Sequence, residues 1–262
     1  MKFRARQLAL GNVRAMKEIK KELLYLTSAR RPRKILFDHL PKCGGSSLNA
    51  YLGAHYPIRK TFWINVRSPA ASVDEFKRFP ESRRYGYDLI NGHLAGLLID
   101  FAHPECLKVT MLRDPVDRII SHYYYVKRSP THYLYSKVHE SDMSLKDYVT
   151  SGLSRELGNW YTTHFSGLGI EDVEQYPEDS IKRAVEVVLN RYDIIGFLDG
   201  YSSFTQELRD RARLRYEYQD RKLNVTSRRV SINDVPQSTI DAIEQMNQLD
   251  IVLYRRIRDA VG

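Results

Sequence analysis

Lys34-Ile35-Leu36-Phe37-Asp38-His39-Leu40-Pro41-Lys42-Cys43-Gly44-Gly45-Ser46-Ser47-Leu48-Asn49-Ala50-Tyr51 decides the fold. It opens as a short apolar run of strand character, passes through Pro-Lys-Cys-Gly-Gly, and leaves through Ser-Ser into a helical pattern with Leu48, Tyr51 and Leu52 on one side. The unit is strand, loop, helix. Two glycines let the backbone aim N–H groups inward, the helix start adds partial positive charge, and Lys42 adds a full one. Such a loop suits a phosphate or sulfate. Gly-Gly-Ser-Ser alone would equally suit an ordinary βα turn with a Ser cap, and Lys42 at its mouth tips the reading toward an anion.

A second stretch, Leu107-Lys108-Val109-Thr110-Met111-Leu112-Arg113-Asp114-Pro115-Val116-Asp117-Arg118-Ile119-Ile120-Ser121-His122-Tyr123, has the same plan. Lys108 to Leu112 reads as a strand. Asp114 as N-cap and Pro115 at the first helical position then open a helix. Arg113 stands at the strand end and Ser121 about two turns into the helix, so a chain that folds back there lets both reach one dianionic group.

A nucleoside-triphosphatase loop carries its lysine after the last glycine, followed by a hydroxyl for Mg²⁺, whereas here the lysine precedes both glycines. Leu-Pro-Lys-Cys-Gly-Gly-Ser-Ser-Leu instead resembles the 5′-phosphosulfate loop of PAPS-dependent sulfotransferases, in the branch of the heparan sulfate 2-O- and 6-O-sulfotransferases. The usual form there is Pro-Lys-Thr-Gly-Gly-Thr-Ser, so Cys43 and Ser46 are departures, and Cys43 exchanges a hydroxyl for a weaker donor. Arg-Asp-Pro-Val-x-Arg-x-x-Ser resembles the same family's 3′-phosphate element.

The resemblance implies PAPS as co-substrate, adenosine 3′,5′-bisphosphate as product, and no metal. It assigns Lys42 to the oxygen bridging phosphate and sulfate, Cys43, Gly44, Gly45, Ser46 and Ser47 to the 5′-phosphosulfate loop, and Arg113 and Ser121 to the 3′-phosphate. Gly92-His93 resembles the element holding the catalytic histidine of the 2-O branch, so His93 is the expected general base, with His39 and Asp38 as rivals. Asn224-Val-Thr-Ser-Arg-Arg-Val resembles the late loop that closes over the nucleotide, making Arg228 and Arg229 candidate phosphate contacts beside the alternative of a solvated basic pair. Asn159-Trp-Tyr-Thr-Thr163 resembles a family segment with Thr163 in place of an arginine, and Asn247-x-Leu-Asp250 is again family-like.

The chain of 262 residues, 42% hydrophobic and without low-complexity stretches, is long enough for a single α/β domain. The expected architecture is a central, mostly parallel sheet flanked by helices, with a P-loop-like strand-loop-helix nucleotide site. Residues 1–34 carry eleven Lys/Arg against two Glu, so the whole formal excess of +9 lies there. Within them Leu8, Val13, Met16, Ile19, Leu23 and Leu26 recur at near-helical spacing, which predicts a basic amphipathic helix over Arg4 to Thr27. We therefore divide the chain into this segment, 1–33, and a sulfotransferase-like domain, 34–262. The helix can pack on the domain with its charges solvated, the default, lie peripherally on an anionic membrane, or meet an acidic polymer. Nucleic acid is not an expected partner.

No apolar run approaches the roughly 18–20 residues of a membrane span, and the N-terminus lacks a signal-peptide core, so a cytoplasmic setting is expected. Cys43 and Cys106 suggest neither a disulfide framework nor a metal site. Cys43, beside a lysine and a helix start, is either a thiol of depressed pKa and raised reactivity or an inert loop residue.

Further strands are expected at Phe62 to Arg67, Tyr87 to His93 and Tyr192 to Leu198, and helices at Ser144 to Val149, Ile181 to Asn190, Ser202 to Arg211 and Ile240 to Ala260. The tyrosines and bases of Tyr123 to Lys137 either stack on a sugar or pack a core. The function expected from all this is sulfuryl transfer from PAPS to a hydroxyl acceptor, a carbohydrate or glycolipid. A kinase-like enzyme or a non-catalytic nucleotide- or polyanion-binding module is the alternative.

Overall fold

The computed structural model describes residues 2–28, 31–219 and 232–262, with side chains from residue 15 onward. Arg228 and Arg229 lie outside the described residues. The strands are β1 (Ile35–Asp38), β2 (Thr61–Trp63), β3 (Leu89–Gly92), β4 (Leu107–Leu112) and β5 (Ile194–Phe197). They form one parallel sheet in the order β2-β3-β1-β4-β5, the α/β class expected. The helices, which flank the sheet, begin with α1 (Lys2–Thr27), α2 (Gly45–His55), α3 (Pro69–Arg78), α4 (Glu81–Arg84) and α5 (Pro115–Arg128). They continue with α6 (Tyr135–Glu140), α7 (Leu145–Thr150), α8 (Trp160–Ser166), α9 (Ile170–Gln175), α10 (Pro177–Arg191) and α11 (Tyr201–Ala212). The last are α12 (Gln237–Met246) and α13 (Gln248–Val261).

Of the described residues, 2–28, 31–39, 44–110 and 200–219 form one compact unit, and 40–43, 111–199 and 232–262 another. In the first unit β1 is central because all four of its residues are buried, as a strand paired on both sides and covered on both faces requires. Its Leu36 packs with Phe62, Val73, Phe76, Ile90 and Leu98, each worth about 1.5–3 kcal/mol of apolar burial. The register sets Asp38 beside Gly92 on one side and Thr110 on the other. The chain therefore leaves β1, β3 and β4 from neighbouring points at the carboxyl edge, where the strand order reverses and α/β sheets collect ligands. In the second unit Ile119, Ile120, Tyr123 and Val126 of α5 pack with Val138, Tyr148, Val149 and Ile243. Tyr123 is thus core rather than a sugar platform.

One expectation fails, and another holds with a difference. The single C-terminal helix is two, because Asn247 leaves helical geometry (φ −125°) while its Nδ2 donates to the carbonyls of Ile243 and Leu157, both at 2.9 Å. The apolar period runs on through this break, so hydropathy alone hides it. α1 packs on its unit as the default reading has it, but with Met16, Ile19, Leu23 and Leu26 exposed. What holds α1 to its unit is its other side: Tyr25 is buried and its hydroxyl donates to Asp88 at 2.7 Å, while Lys21 Nζ donates to the Gly53 carbonyl at 3.0 Å.

Candidate active site

The turn after β1 is tighter than its two glycines suggest. Lys42 itself adopts a left-handed backbone (φ 65°), as does Gly44 (φ 76°), which is the N-cap of α2. For lysine this conformation costs about 1–2 kcal/mol, strain of the kind held at functional turns. No serine side chain caps the helix. Gly45, Ser46 and Ser47 are therefore its first three residues, whose N–H groups have no partner within the helix and are available to an anion.

In the first unit these residues share their surroundings with the two histidines. His39 packs its ring directly against Gly45, so closely that a Cβ there would fall 1.9 Å from the ring. The His39 ring stacks on Phe37 (5.6 Å) and on His93 (4.4 Å between centroids). Its Nδ1 faces Asn49 Nδ2 at 3.4 Å, and Asn49 Oδ1 accepts from Asn91 Nδ2 at 2.9 Å, which fixes the amide's orientation and leaves the His39 proton on Nε2. His93 Nδ1 lies 2.6 Å from the His39 carbonyl, which can only accept. The neutral His93 tautomer consequently carries its proton on Nδ1 and presents Nε2 as a base. Gly92 precedes it at φ 143°, where a Cβ would meet Ile64 at 2.7 Å. Asp38, the rival carboxylate, is fully buried in β1. A cavity of about 690 Å³ begins at Ser47 and is walled by Tyr51, Arg209, Tyr216 and Tyr218, a size and lining suited to a nucleoside-sized ligand.

In the second unit the cations line up on one helix. Asp114 caps α5, accepting from the Asp117 N–H at 3.0 Å, as its sequence predicts. Asp117, Ser121 and Tyr125 follow at four-residue spacing and share a face. Arg113, nearly buried, directs Nε and Nη2 to Asp117 Oδ2, each at 2.7 Å, and Nη1 to the Lys42 carbonyl at 3.0 Å. Lys42 places its amine 3.8 Å above the Tyr125 ring. The two cations thus bracket half-buried Ser121, meeting α5 one turn before it and one turn after. Burial, then repulsion from Arg128 and Arg113, pulls the Lys42 amine down to about 8. A cavity of about 320 Å³ opens beside Arg113, lined also by Asp117, Tyr254 and Arg258.

Cys43 is corrected on one point. Its thiol is buried, 3.0 Å from the Tyr161 hydroxyl and 3.4 Å from the Pro41 carbonyl, and burial pushes it up rather than down. Burial favours the inert alternative. Tyr161 also joins this loop to the arginine strand end, donating to the Arg113 carbonyl at 3.0 Å.

Sequence reasoning missed several neighbours. Glu156 accepts from buried His122 Nε2 at 2.9 Å, whose Nδ1 in turn faces the Tyr148 hydroxyl at 2.8 Å, and the Glu156 carboxylate partly offsets the burial and repulsion that lower the Lys42 amine. Nothing local marked Glu156. Arg118, the second arginine of its motif, is fully buried beside Asp250 (3.8 Å) and against the Tyr161 ring (5.0 Å). Asp250 also accepts the N–H groups of Tyr161 and Thr162 at the start of α8, while Asn159 accepts the Leu249 N–H at the start of α13. The two family-like segments around Asn159 and Asp250 cap each other's helices. In Thr163 the hydroxyl satisfies the Trp160 carbonyl at 2.9 Å, where the family pattern carries a charge.

The sequence pattern of the Sulfotransferase family matches residues 27–255, most of the chain. No curated protein matches it in a sequence comparison.

Proposed function

The chain belongs to the sulfotransferase family, and from that premise we propose that it moves the sulfuryl group of PAPS onto a hydroxyl of a carbohydrate or glycoconjugate. The observation that carries the reading is the bracketing of Ser121 by Lys42 and Arg113 on one face of α5. The donors in each unit suit anionic groups of the co-substrate: two cations and the Ser121 hydroxyl in one, and the first helical N–H groups at Gly45, Ser46 and Ser47 in the other. The cavity beside Ser47, with its tyrosines, suits the nucleoside.

In the proposed step the acceptor oxygen attacks sulfur in line, forming the new S–O bond while the bond from sulfur to the bridging phosphate oxygen breaks. The acceptor's proton passes to His93 Nε2, the acceptor nitrogen of the neutral tautomer that donates from Nδ1 to the His39 carbonyl. The electron pair of the broken bond stays on adenosine 3′,5′-bisphosphate, and Lys42 stabilises the charge that builds on its bridging oxygen. Arg113 and Ser121 hold the 3′-phosphate, and positioning with charge stabilisation supplies the catalysis. Arg228 and Arg229 belong to the proposal as further phosphate contacts. A carbohydrate acceptor is supported by the motif forms, which resemble those of the carbohydrate branch apart from Cys43, Ser46 and Thr163. The test is transfer of labelled sulfate from PAPS to a panel of glycans, glycolipids and small alcohols. Label should appear in a sugar-bearing acceptor and depend on His93. Label in no member, from folded protein that binds the nucleotide, overturns the proposal.

A further inference from the structure

Met16, Ile19, Leu23 and Leu26 stand three, four and three residues apart on α1, one straight stripe along the helix. They are 69, 58, 57 and 43% exposed, so among the described side chains of this helix the apolar stripe is largely left to solvent. The rotation of α1 is fixed by contacts on its other side, from Tyr25 to Asp88, from Lys21 to the Gly53 carbonyl, and from Arg215 Nη2 to the Leu24 carbonyl at 3.4 Å. An outward stripe is therefore the docked arrangement. Charge is equally one-sided: Lys2–Thr27 contains seven Lys/Arg and two Glu. Both carboxylates are engaged, Glu18 with Lys21 and Glu22 with Arg59.

We propose that α1 lies in the plane of an anionic lipid bilayer, with the Met16–Leu26 stripe inserted among acyl chains and its lysines and arginines at the headgroups. An exposed apolar stripe on a strongly cationic helix is the combination that binds an anionic interface, since apolar burial and headgroup attraction act together. A second copy of the chain is the poorer occupant. Pairing two such helices would bring fourteen cations against four carboxylates already engaged within their own chains. α1 lies on the membrane rather than through it: no helix among the described residues is long and apolar enough to cross one.

The test is co-sedimentation of the full chain with phosphatidylcholine vesicles, with and without phosphatidylserine. The bound fraction should rise about tenfold or more with phosphatidylserine, fall at high salt, and fall about tenfold in the Ile19→Glu/Leu23→Glu variant. Because both positions are exposed, that variant should keep the wild-type melting temperature and its affinity for adenosine 3′,5′-bisphosphate. Equal binding to both vesicles, binding to neither, or undiminished binding by the variant overturns the proposal. So does a concentration-dependent oligomer abolished by the variant without vesicle binding, which would assign the stripe to a second copy. Vesicle binding requires no turnover, so this outcome is read separately from the enzymatic one.

Discussion

Lys42 is a cation in a place that disfavours one. Its backbone is left-handed, its amine is largely desolvated, and Arg113 and Arg128 both repel it. Replacing it with Met should relieve two of these burdens. At pH 7 Lys42→Met is expected to raise the melting temperature by about 2–4 °C, the shift that about 1 kcal/mol produces in a chain of this size. The sign in pH follows from linkage. Between about 8 and the ordinary lysine value the unfolded chain binds the proton that the folded one has lost, so wild-type stability rises with pH through that window. The variant's advantage should be full below pH 8 and gone above the window, as thermal scans across pH would record. A variant less stable than wild type at pH 7 would show that the repulsion is offset elsewhere. For the same reason kcat/KM should decline above about pH 8, because the leaving group then loses its cation.

His93 and Gly45 belong to the first unit and are tested there. His93→Ala should reduce kcat by about 10²–10⁴ with little change in nucleotide affinity, the range for a lost general base. Retained turnover would move that role elsewhere. Gly45→Ala forces a methyl into the His39 ring, which is sandwiched between Phe37 and His93 and has little room to yield. Turnover should fall at least about tenfold through displaced His93, a loss near 1.4 kcal/mol in the barrier, and an unchanged rate would show that the two rings move independently.

Among the elements, the start of α8 and the start of α13 depend on each other. Asp250 is the acceptor for two α8 N–H groups and the counter-charge for fully buried Arg118. Desolvation pushes its carboxyl up, while Arg118 and the α8 N–H groups pull it down. Asp250→Ala leaves Arg118 buried without its carboxylate and should cost about 3–5 kcal/mol in denaturant unfolding. Asn159→Ala, which removes the cap of α13 and puts alanine at a left-handed backbone (φ 45°), should cost about 1–2 kcal/mol. Similar small losses for both would mean that Arg118 finds another partner.

At the scale of the whole molecule, what was legible in the sequence was what is local. β1 declares itself through four consecutive buried residues followed by Pro-Lys-Cys-Gly-Gly, and α5 through Asp114 and Pro115, because strand, turn and cap are decided within a few residues. A parallel sheet was expected from these units, whereas its strand order comes from the structure. Contacts between distant positions were not legible. Cys43 is buried against a tyrosine 118 residues away, and the helices around Asn159 and Asp250 cap each other across about ninety. Nor does a helical period say which side of α1 faces out, since a stripe that packs and a stripe that docks have the same spacing. The break at Asn247 was hidden for a related reason, its carbonyl partner on Leu157 lying in another element.

All of these scales converge on the claim that Lys42, Arg113 and Ser121 hold a doubly phosphorylated adenosine. Titration calorimetry with adenosine 3′,5′-bisphosphate tests it most directly. The full chain should bind with one-to-one stoichiometry, and Lys42→Met and Arg113→Gln should each weaken binding at least about tenfold, near 1.4 kcal/mol. No heat of binding from folded wild-type protein, or equal affinity in all three proteins, would contradict the account.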